Sequence, residues 1–358
     1  MANPFPSLEM TERSSGRRAR ERLSTNENEF GPAPEVLRAI GEAASEAHRY
    51  PDCDHFVLRQ RLADELRTEP DHVRIGSGVD GLLGESVRAF LGPGRTAVTS
   101  AVTYPTFAYL ARSRGTAVHP VPLRSGALDP DELARTAHET RADVIYVADP
   151  DNPTGRSQGA QAVLNLADAL PLATLLIVDG AYAEYQDPCH RLTAKEVGGR
   201  RMLWLRSFSK AYALAGLRIG YAVGDPDLLA ALDDGAEHYV VGRVAESAAL
   251  AALDATTHLD RVLAQTAEGR AHYTAELGAL GLTVLPGRTN FVTARTAAPK
   301  TAEHLADVLA QAGIFIRRLT APGMTDCVRI SIGPASQRAT VLEAVAHHLA
   351  RRPVVPTI

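Results

Sequence analysis

The sequence predicts an α/β fold in which a mostly parallel sheet of about seven strands lies between layers of helices. Short runs rich in Val, Ile and Leu recur from Val73 onward, and segments of helical periodicity, such as 82–91 and 160–170, separate most of them. Strands that are covered on both faces are almost continuously apolar. Strands that alternate with helices favour parallel pairing in a layered fold.

The expected strands follow one another along the first two thirds of the chain. They are 73–76, 96–99, 117–121, 144–148, 175–179, 202–206 and 218–223. After about residue 226 the pattern changes to long Ala- and Leu-rich helices, with short strands near 289–293 and 327–332. We therefore expect a large domain at 45–250, a smaller α+β domain formed by 23–44 and 251–358, and a polar, Arg-rich N-terminal arm at 1–22.

Composition narrows the classes of function. The 358 residues are 45% hydrophobic and 22% charged, as in an ordinary globular protein, and the net charge of −4 argues against nucleic acid or an anionic membrane as the main partner. No apolar run approaches the ~18 residues of a membrane span, and no secretory signal is expected. The three cysteines lie far apart, which predicts no zinc site and favours a reduced, cytoplasmic compartment.

A glycine-rich turn, Gly-Ser-Gly-Val-Asp-Gly at 76–81, follows the first strand of the predicted sheet. The same spacing occurs in dinucleotide-binding folds, which also need an acidic residue about 20 positions further on. No Asp or Glu lies between Glu85 and Asp129, so a nicotinamide dinucleotide is not expected. The turn still predicts a phosphate site, because N–H groups at a helix N-terminus point toward an anion.

The segment 207–218 carries the strongest chemical signal, since two serines, a lysine and an arginine lie between two apolar runs. Ser207, Ser209 and Arg218 are suitable ligands for a phosphate. Lys210 lies near the end of a buried strand and near a cation, and both conditions lower the pKa of an amine. A nucleophilic lysine beside a phosphate site indicates pyridoxal 5′-phosphate (PLP), and the alternative is an ordinary surface turn.

Three further features follow predicted strands, at the edge where open α/β sheets bind ligands. Asn152 lies in a turn defined by Pro and Gly, although such a turn can be a simple connection. Asp179 ends an apolar strand, and its buried charge needs a partner such as a pyridinium nitrogen, unless it caps a helix. Phe107 offers a flat surface for an aromatic ring.

Taken together, these motifs resemble the fold type I PLP-dependent aminotransferases, and within them the histidinol-phosphate aminotransferase family. The resemblance runs from about Leu23 to the end of the chain. It is carried by Asn26-Glu27-Asn28, Tyr50-Pro51-Asp52, Asn152-Pro153-Thr154-Gly155, Asp179-Gly180-Ala181-Tyr182, Ser207-Phe208-Ser209-Lys210, Gly216-Leu217-Arg218 and Val328-Arg329-Ile330-Ser331. It implies PLP as cofactor, an amino acid and a 2-oxo acid as substrates, and a homodimer.

The resemblance also implies roles for individual residues around the cofactor. Lys210, Asp179 and Tyr182 would be catalytic: Lys210 would bind PLP covalently and move the proton, and Asp179 would pair with the ring nitrogen. Tyr182 and Asn152 would hold the 3′-oxygen, and Phe107 would stack on the ring. The phosphate would be held by Val79, Asp80, Ser207, Ser209 and Arg218, together with Tyr50 of the partner subunit.

On the substrate side, the resemblance implies that Arg329 clamps the α-carboxylate as a bidentate fork, with Asn28, Phe30 and Arg317 nearby. Phe30 and Phe107 stand where the family usually has Tyr near the substrate's phosphate, and Gly180 replaces a Glu. Each lost hydroxyl removes about 1 kcal/mol of hydrogen bonding, which predicts a more apolar pocket, and Gly180 is expected to open its corner of the site. Arg317 and Arg318 are possible anion ligands, so they leave an acidic or phosphorylated substrate open.

The expected function is therefore transamination of an L-amino acid or related amine. Decarboxylation, β- or C–S elimination and oxidative deamination on the same scaffold remain alternatives, because the bond that breaks depends on how the substrate is oriented. A non-catalytic binding protein with the same fold is a third hypothesis, which the combination of Lys210, Asp179 and Arg329 disfavours.

Overall fold

The computed structural model describes residues 7–350. Its strands are β1 (Glu21–Arg22), β2 (Val73–Gly76), β3 (Thr96–Ser100), β4 (Ala117–Val121), β5 (Val144–Ala148), β6 (Leu175–Asp179), β7 (Met202–Ser207), β8 (Gly220–Gly224), β9 (Thr283–Val284), β10 (Phe291–Arg295), β11 (Ile314–Phe315), β12 (Arg317–Arg318) and β13 (Cys327–Ser331). Its α-helices are α1 (Leu8–Ser15), α2 (Pro34–Ala44), α3 (Phe56–Leu66), α4 (Gly78–Phe90), α5 (Thr106–Ser113), α6 (Pro130–Thr140), α7 (Ala160–Asp168), α8 (Ala194–Gly198), α9 (Pro226–Ala230), α10 (Arg243–Asp254), α11 (Thr256–Ala279), α12 (Pro299–Gln311) and α13 (Ala335–Ala350).

The large sheet has seven strands in the order β2-β8-β7-β6-β5-β3-β4. The five strands from β7 to β4 pair in parallel, whereas β8 is antiparallel to both of its neighbours. The predicted α/β fold with a mostly parallel sheet is therefore confirmed. The expected strand at 218–223 begins two residues later than predicted, at Gly220.

Helices cover both faces of this sheet, which explains the continuous apolar runs. Along β5, Val144 and Tyr146 belong to the buried cluster on one face, and Ile145 and Val147 belong to the cluster on the other. Side chains alternate between the faces of a strand, so a strand buried on both sides must be apolar at every position.

The smaller part of the chain contains a four-stranded antiparallel sheet in the order β12-β13-β10-β9. Helices α11, α12 and α13 pack on it, and their side chains Tyr273, Leu305 and Val341 share a core with Val328 of β13. This is the predicted C-terminal α+β layer. Within residues 7–350, no helix is both long enough and apolar enough to cross a lipid bilayer.

The segments before residue 45 differ from what the sequence predicted. Residues 1–6 of the expected arm lie outside the described residues, but β1 pairs in parallel with β11, and Arg17 Nη1 donates to the carbonyl of Gln311 at 2.9 Å. The segment 23–44 is divided between the two cores. Leu23 lies in the small-domain core, whereas Val36 of α2 lies in the large-domain core with Leu58, because α2 packs on α10.

Candidate active site

A cavity of about 230 Å³ lies at the C-terminal ends of β5, β6 and β7 and reaches the small sheet. Eleven of the fifteen predicted site residues line it, which are Val79, Asp80, Asn152, Asp179, Tyr182, Ser207, Ser209, Lys210, Arg218, Arg317 and Arg329. Residues distant in sequence meet here because the parallel strands all end at one edge of the sheet.

Lys210 lies in the turn after β7, and its ammonium points toward the N-terminal segment. Nζ donates to the carbonyl oxygens of Asn26 at 3.1 Å and Thr25 at 3.4 Å. Removal from water, reinforced by the positive charge of Arg329, lowers the pKa of Lys210 to about 8. About a tenth of this lysine is therefore a free amine at pH 7, far more than for an ordinary lysine, and a nucleophile or general base requires that form.

Asp179 is the last residue of β6 and is almost completely buried. The Tyr146 hydroxyl donates to Oδ2 at 2.8 Å, and the backbone N–H of Ala181 donates to Oδ1 at 3.0 Å. Burial nevertheless raises the pKa of Asp179 to about 6. A cation placed against this carboxylate from the cavity side would favour the ionised form.

The anion-binding end of the cavity is formed by the N-terminus of α4 and the turn around Arg218. Gly78 has a φ of +73°, and a Cβ there would come within 2.7 Å of Arg218 Nη2, so glycine is required for the guanidinium to lie here. Arg218 Nη1 donates to Ser209 Oγ at 3.3 Å, and Nη2 lies 3.5 Å from Asp80 Oδ2. Helix N–H groups, hydroxyls and a guanidinium together suit a phosphate.

Arg329, on β13, is buried at the boundary between the two sheets. Its Nη1 donates to Asn152 Oδ1 at 2.5 Å, and its Nη2 donates to the Ser24 carbonyl at 2.7 Å. Among the described residues its Nε has no hydrogen-bond partner. Burial, together with the nearby charge of Arg317, lowers the pKa of Arg329 to about 10. A guanidinium in this state is a strong candidate to bind an anion.

Phe107 does not lie at the cavity, contrary to the prediction that it stacks on the cofactor ring. It is the second residue of α5, is fully buried, and stacks on Tyr146 with ring centroids 4.8 Å apart. Tyr104, three residues earlier, lines the cavity instead, and its hydroxyl donates to Asp80 Oδ1 at 2.9 Å. Because α5 begins at Thr106, Phe107 already follows the helix, which directs its ring into the core.

The other three predicted residues also lie outside the cavity lining. Tyr50 is 77% exposed and stacks on Tyr239 at 4.6 Å between centroids. The Asn28 amide donates to the carbonyls of Lys210 at 2.9 Å and Ala211 at 3.0 Å, so it supports the lysine turn rather than facing a substrate. Phe30 is half-buried, and its N–H donates to Asn28 Oδ1 at 3.0 Å.

The corner at Gly180 is closed, although the sequence predicted that glycine would open it. A Cβ added at Gly180 would overlap Trp204 Nε1 and would lie 3.2 Å from Arg206 Cδ. The indole of Trp204 therefore occupies the space next to the glycine, and Arg206 lies over the indole ring at 4.3 Å from its centroid.

Sequence reasoning missed several residues that line the cavity, among them Ser24, Thr25, Asn26 and Tyr104. Asn26 and Asn28 lie in the same motif, of which the sequence predicts only Asn28 as a site residue. Backbone carbonyls such as those of Ser24 and Thr25 leave no sequence signal, because any residue supplies them.

The cavity fits PLP in each of its parts. It holds a lysine amine, a buried carboxylate that accepts hydrogen bonds from a phenol and a backbone N–H, and an anion site formed by a helix N-terminus, hydroxyls and a guanidinium. An open α/β sheet with these groups at its C-terminal edge defines a PLP-dependent enzyme.

Comparison with known proteins identifies the family. The family described as aminotransferase class I and II matches residues 21–347. The chain is 32% identical over 326 residues to a histidinol-phosphate aminotransferase of Dinoroseobacter shibae, and the matched region covers 91% of this chain and 90% of the relative. It is also 32% identical over 343 residues to that of Symbiobacterium thermophilum, with 96% and 94% covered.

A solved structure agrees with these relatives. The histidinol-phosphate aminotransferase from Sinorhizobium meliloti, in complex with pyridoxal-5′-phosphate, superimposes with a TM-score of 0.94 at 35% identity, covering 97% of this chain and 95% of that one. The chain therefore belongs to the aminotransferase class I and II family. It is a PLP-dependent aminotransferase of fold type I.

Proposed function

We propose that this aminotransferase takes its amino group from an amine that carries an anionic group, with histidinol phosphate as the first candidate, and transfers it to a 2-oxo acid. The observation that carries this proposal is the pair of arginines, Arg317 and Arg329, that line one cavity. The names of the relatives described above agree with a phosphorylated amine as donor.

The two arginines face the same way because of strand register. Arg317 of β12 lies directly opposite Arg329 of the antiparallel strand β13. Directly opposite residues project from the same face of a sheet, about 5 Å apart at Cβ. Burial lowers the pKa of both guanidiniums. Two partly desolvated cations at one end of a cavity favour ligands that bring anionic oxygens.

We assign the two cations to different groups of the substrates. Arg329 binds the α-carboxylate of an amino acid or 2-oxo acid, because the hydrogen bonds that it donates to Asn152 and the Ser24 carbonyl hold its guanidinium at the cavity. Arg317 binds the phosphate or acidic side chain. The more apolar pocket expected from Phe30 and Phe107 loses direct support, because neither ring lines the cavity.

The residues of the chain have distinct tasks in this reaction. PLP, when bound, supplies a carbonyl that takes up the amino group and a ring that accepts electrons. Lys210 Nζ, with its lowered pKa, would take the proton from the substrate Cα and deliver it, as its conjugate acid, to the carbon of the cofactor that receives the amino group. Asp179 would keep the ring nitrogen protonated, and Tyr182 and Asn152 would hold the 3′-oxygen. The N-terminal end of α4 would hold the phosphate together with Ser207, Ser209 and Arg218.

We also propose that the chain works as a homodimer in a cytoplasmic setting. Tyr50 is exposed and stacks on Tyr239, so it is available to a second copy rather than to the cavity of its own chain. In that arrangement Tyr50 reaches the phosphate of the partner's cofactor.

The donor can be tested with two neighbouring arginines. Initial rates with 2-oxoglutarate should be measured for histidinol phosphate and for L-phenylalanine, using the unmodified enzyme, Arg317→Gln and Arg318→Gln. Arg318 is the matched control, because it is paired with Glu303 outside the cavity lining. Lys210→Ala serves as the inactive baseline.

We expect Arg317→Gln to lower kcat/KM for histidinol phosphate by about ten- to a hundredfold, the value of one charged hydrogen bond, and to leave kcat/KM for phenylalanine unchanged. Arg318→Gln should change neither value. A preference for phenylalanine in the unmodified enzyme would instead support the apolar pocket. Release of CO₂, or consumption of O₂, without transfer to the 2-oxo acid would support the decarboxylase or oxidase alternatives.

A further inference from the structure

Asn26 connects the N-terminal segment to two catalytic residues. It is 1% exposed and has a φ of +56°, in the left-handed region that residues other than glycine seldom adopt. Its carbonyl oxygen accepts from Lys210 Nζ at 3.1 Å and from Asn290 Nδ2 at 3.1 Å. Its N–H donates to Ser331 Oγ at 3.1 Å. The surrounding chain thus holds this residue in an uncommon conformation.

The side chain of Asn26 makes a second connection. Its Nδ2 donates to the Tyr182 hydroxyl oxygen at 2.8 Å, and both residues line the cavity. A phenol has one proton to donate. When its oxygen accepts a hydrogen bond from an amide, that proton is left for another acceptor, and the accepted bond makes the phenol a stronger donor.

We propose that Asn26 is a positioning residue that commits Tyr182 to donate its proton into the cavity, toward the 3′-oxygen of PLP. This inference rests on the proposed role of Tyr182 and deepens it. Asn26 acts through the phenol and does not need to touch the cofactor or the substrate.

The small sheet determines where Asn26 lies. Asn290 immediately precedes β10, and its amide also donates to the carbonyl of Glu27 at 3.2 Å. Ser331 is the last residue of β13, two residues after Arg329. The sheet that carries the carboxylate-binding arginine therefore also positions the residue that orients Tyr182.

Two substitutions separate the side chain from the backbone. Asn26→Asp keeps the shape but leaves only acceptors, so Tyr182 donates to residue 26 and no longer into the cavity. Asn26→Gly removes the side chain while tolerating the positive φ. Asn165→Asp, at an exposed position on α7, controls for the added charge. Tyr182→Phe removes the phenol.

The measurements are the dissociation constant of PLP, the pH midpoint of the visible absorption of bound PLP, and the melting temperature of the cofactor-free protein. A weaker donor stabilises an anionic 3′-oxygen less, so the bound cofactor holds its proton more tightly. We expect both Asn26 variants to raise the midpoint by about one pH unit, equivalent to one hydrogen bond, and Asn165→Asp to leave it unchanged.

The decisive comparison repeats Asn26→Gly in the Tyr182→Phe background, where the shift should disappear. An unchanged midpoint in Asn26→Gly, with or without a lower melting temperature, overturns the proposal, and so does a full shift that persists without the phenol. None of these readouts uses a substrate. A failure of histidinol phosphate as donor would therefore leave this result intact.

Discussion

Replacing Gly180 with alanine should destabilise the protein, although the change adds one methyl group. Gly180 is buried directly after Asp179, and a Cβ there would overlap Trp204 Nε1 and lie 3.1 Å from the Leu205 carbonyl oxygen. Trp204 cannot move aside freely, because the guanidinium of Arg206 covers its ring at 4.3 Å. Arg206 is itself fixed by a buried ion pair with Glu184 at 2.5 Å.

The size of the effect follows from two opposing contributions. Forcing a methyl group into a filled core costs ~1–3 kcal/mol, whereas replacing glycine restricts the unfolded chain and returns ~0.4–1 kcal/mol. We expect a net loss of about 1–2 kcal/mol in the free energy of unfolding. The loop that carries Asp179 and Tyr182 must shift to make room, so kcat should fall as well.

The assay is urea unfolding followed by circular dichroism, together with kcat at saturating substrates. Gly41→Ala is the control. Gly41 lies within α2 on its exposed face, and a Cβ there meets nothing within 4 Å. This change should stabilise the protein by ~0.5–1 kcal/mol. Trp204 is the only tryptophan, so its emission in Gly180→Ala reports directly on this corner.

Trp204→Leu completes the test as a double-mutant cycle. If the indole causes the clash, the cost of Gly180→Ala should shrink by about 1 kcal/mol or more when the indole is absent. An unchanged urea midpoint for Gly180→Ala, or a cost that persists in full beside Trp204→Leu, refutes the reasoning.

Asp179→Asn should separate stability from activity. Burial raises the folded-state pKa of Asp179 to about 6, above its ordinary 3.8, so the unmodified protein loses stability as the pH rises through that window. The cofactor-free variant should therefore be more stable than the unmodified protein at pH 8, by up to about 3 kcal/mol in urea unfolding, and equal stability at pH 8 contradicts this. The variant should nevertheless lose most of kcat, with only a moderate loss of PLP affinity. Tyr104→Leu should weaken PLP binding about tenfold with little change in melting temperature, whereas Phe107→Leu should lower the melting temperature and spare PLP affinity. The reverse pattern in equilibrium dialysis returns the stacking role to Phe107.

The predictable parts of the molecule are those in which burial on both faces permits only one kind of element, an apolar strand. Strands β5 and β6 are predicted at 144–148 and 175–179, and the fold has them at those residues. Their apolar runs stop where the strands leave the core, and the first polar residue then lies at the sheet edge. For that reason Asp179 could be assigned to the cavity without knowledge of the loops, whereas Lys210, in the turn after β7, was assigned from its motif.

Where two candidates lie within a few residues, the sequence could not choose between them. Tyr104 and Phe107 both follow β3, and only the start of α5 at Thr106 decides which ring turns into the core. Asn26 and Asn28 present the same difficulty in an irregular segment, where side-chain direction has no period. The sequence predicted 23–44 as one part of the small domain, but the apolar face of a helix such as α2 does not show which of two cores covers it.

The shifted pKa values of Lys210, Arg329 and Asp179 all favour the neutral form of the side chain. Burial lowers the pKa of Lys210 to about 8 and that of Arg329 to about 10, and it raises that of Asp179 to about 6. Folding alone therefore raises the free energy of the charged forms of these three groups relative to water. A ring cation against Asp179 and a carboxylate against Arg329 would reverse two of these costs. Because such ligands bind the folded chain and not the unfolded one, the cost of building the cavity is recovered as binding energy, and the stability of the fold rises with occupancy of the site.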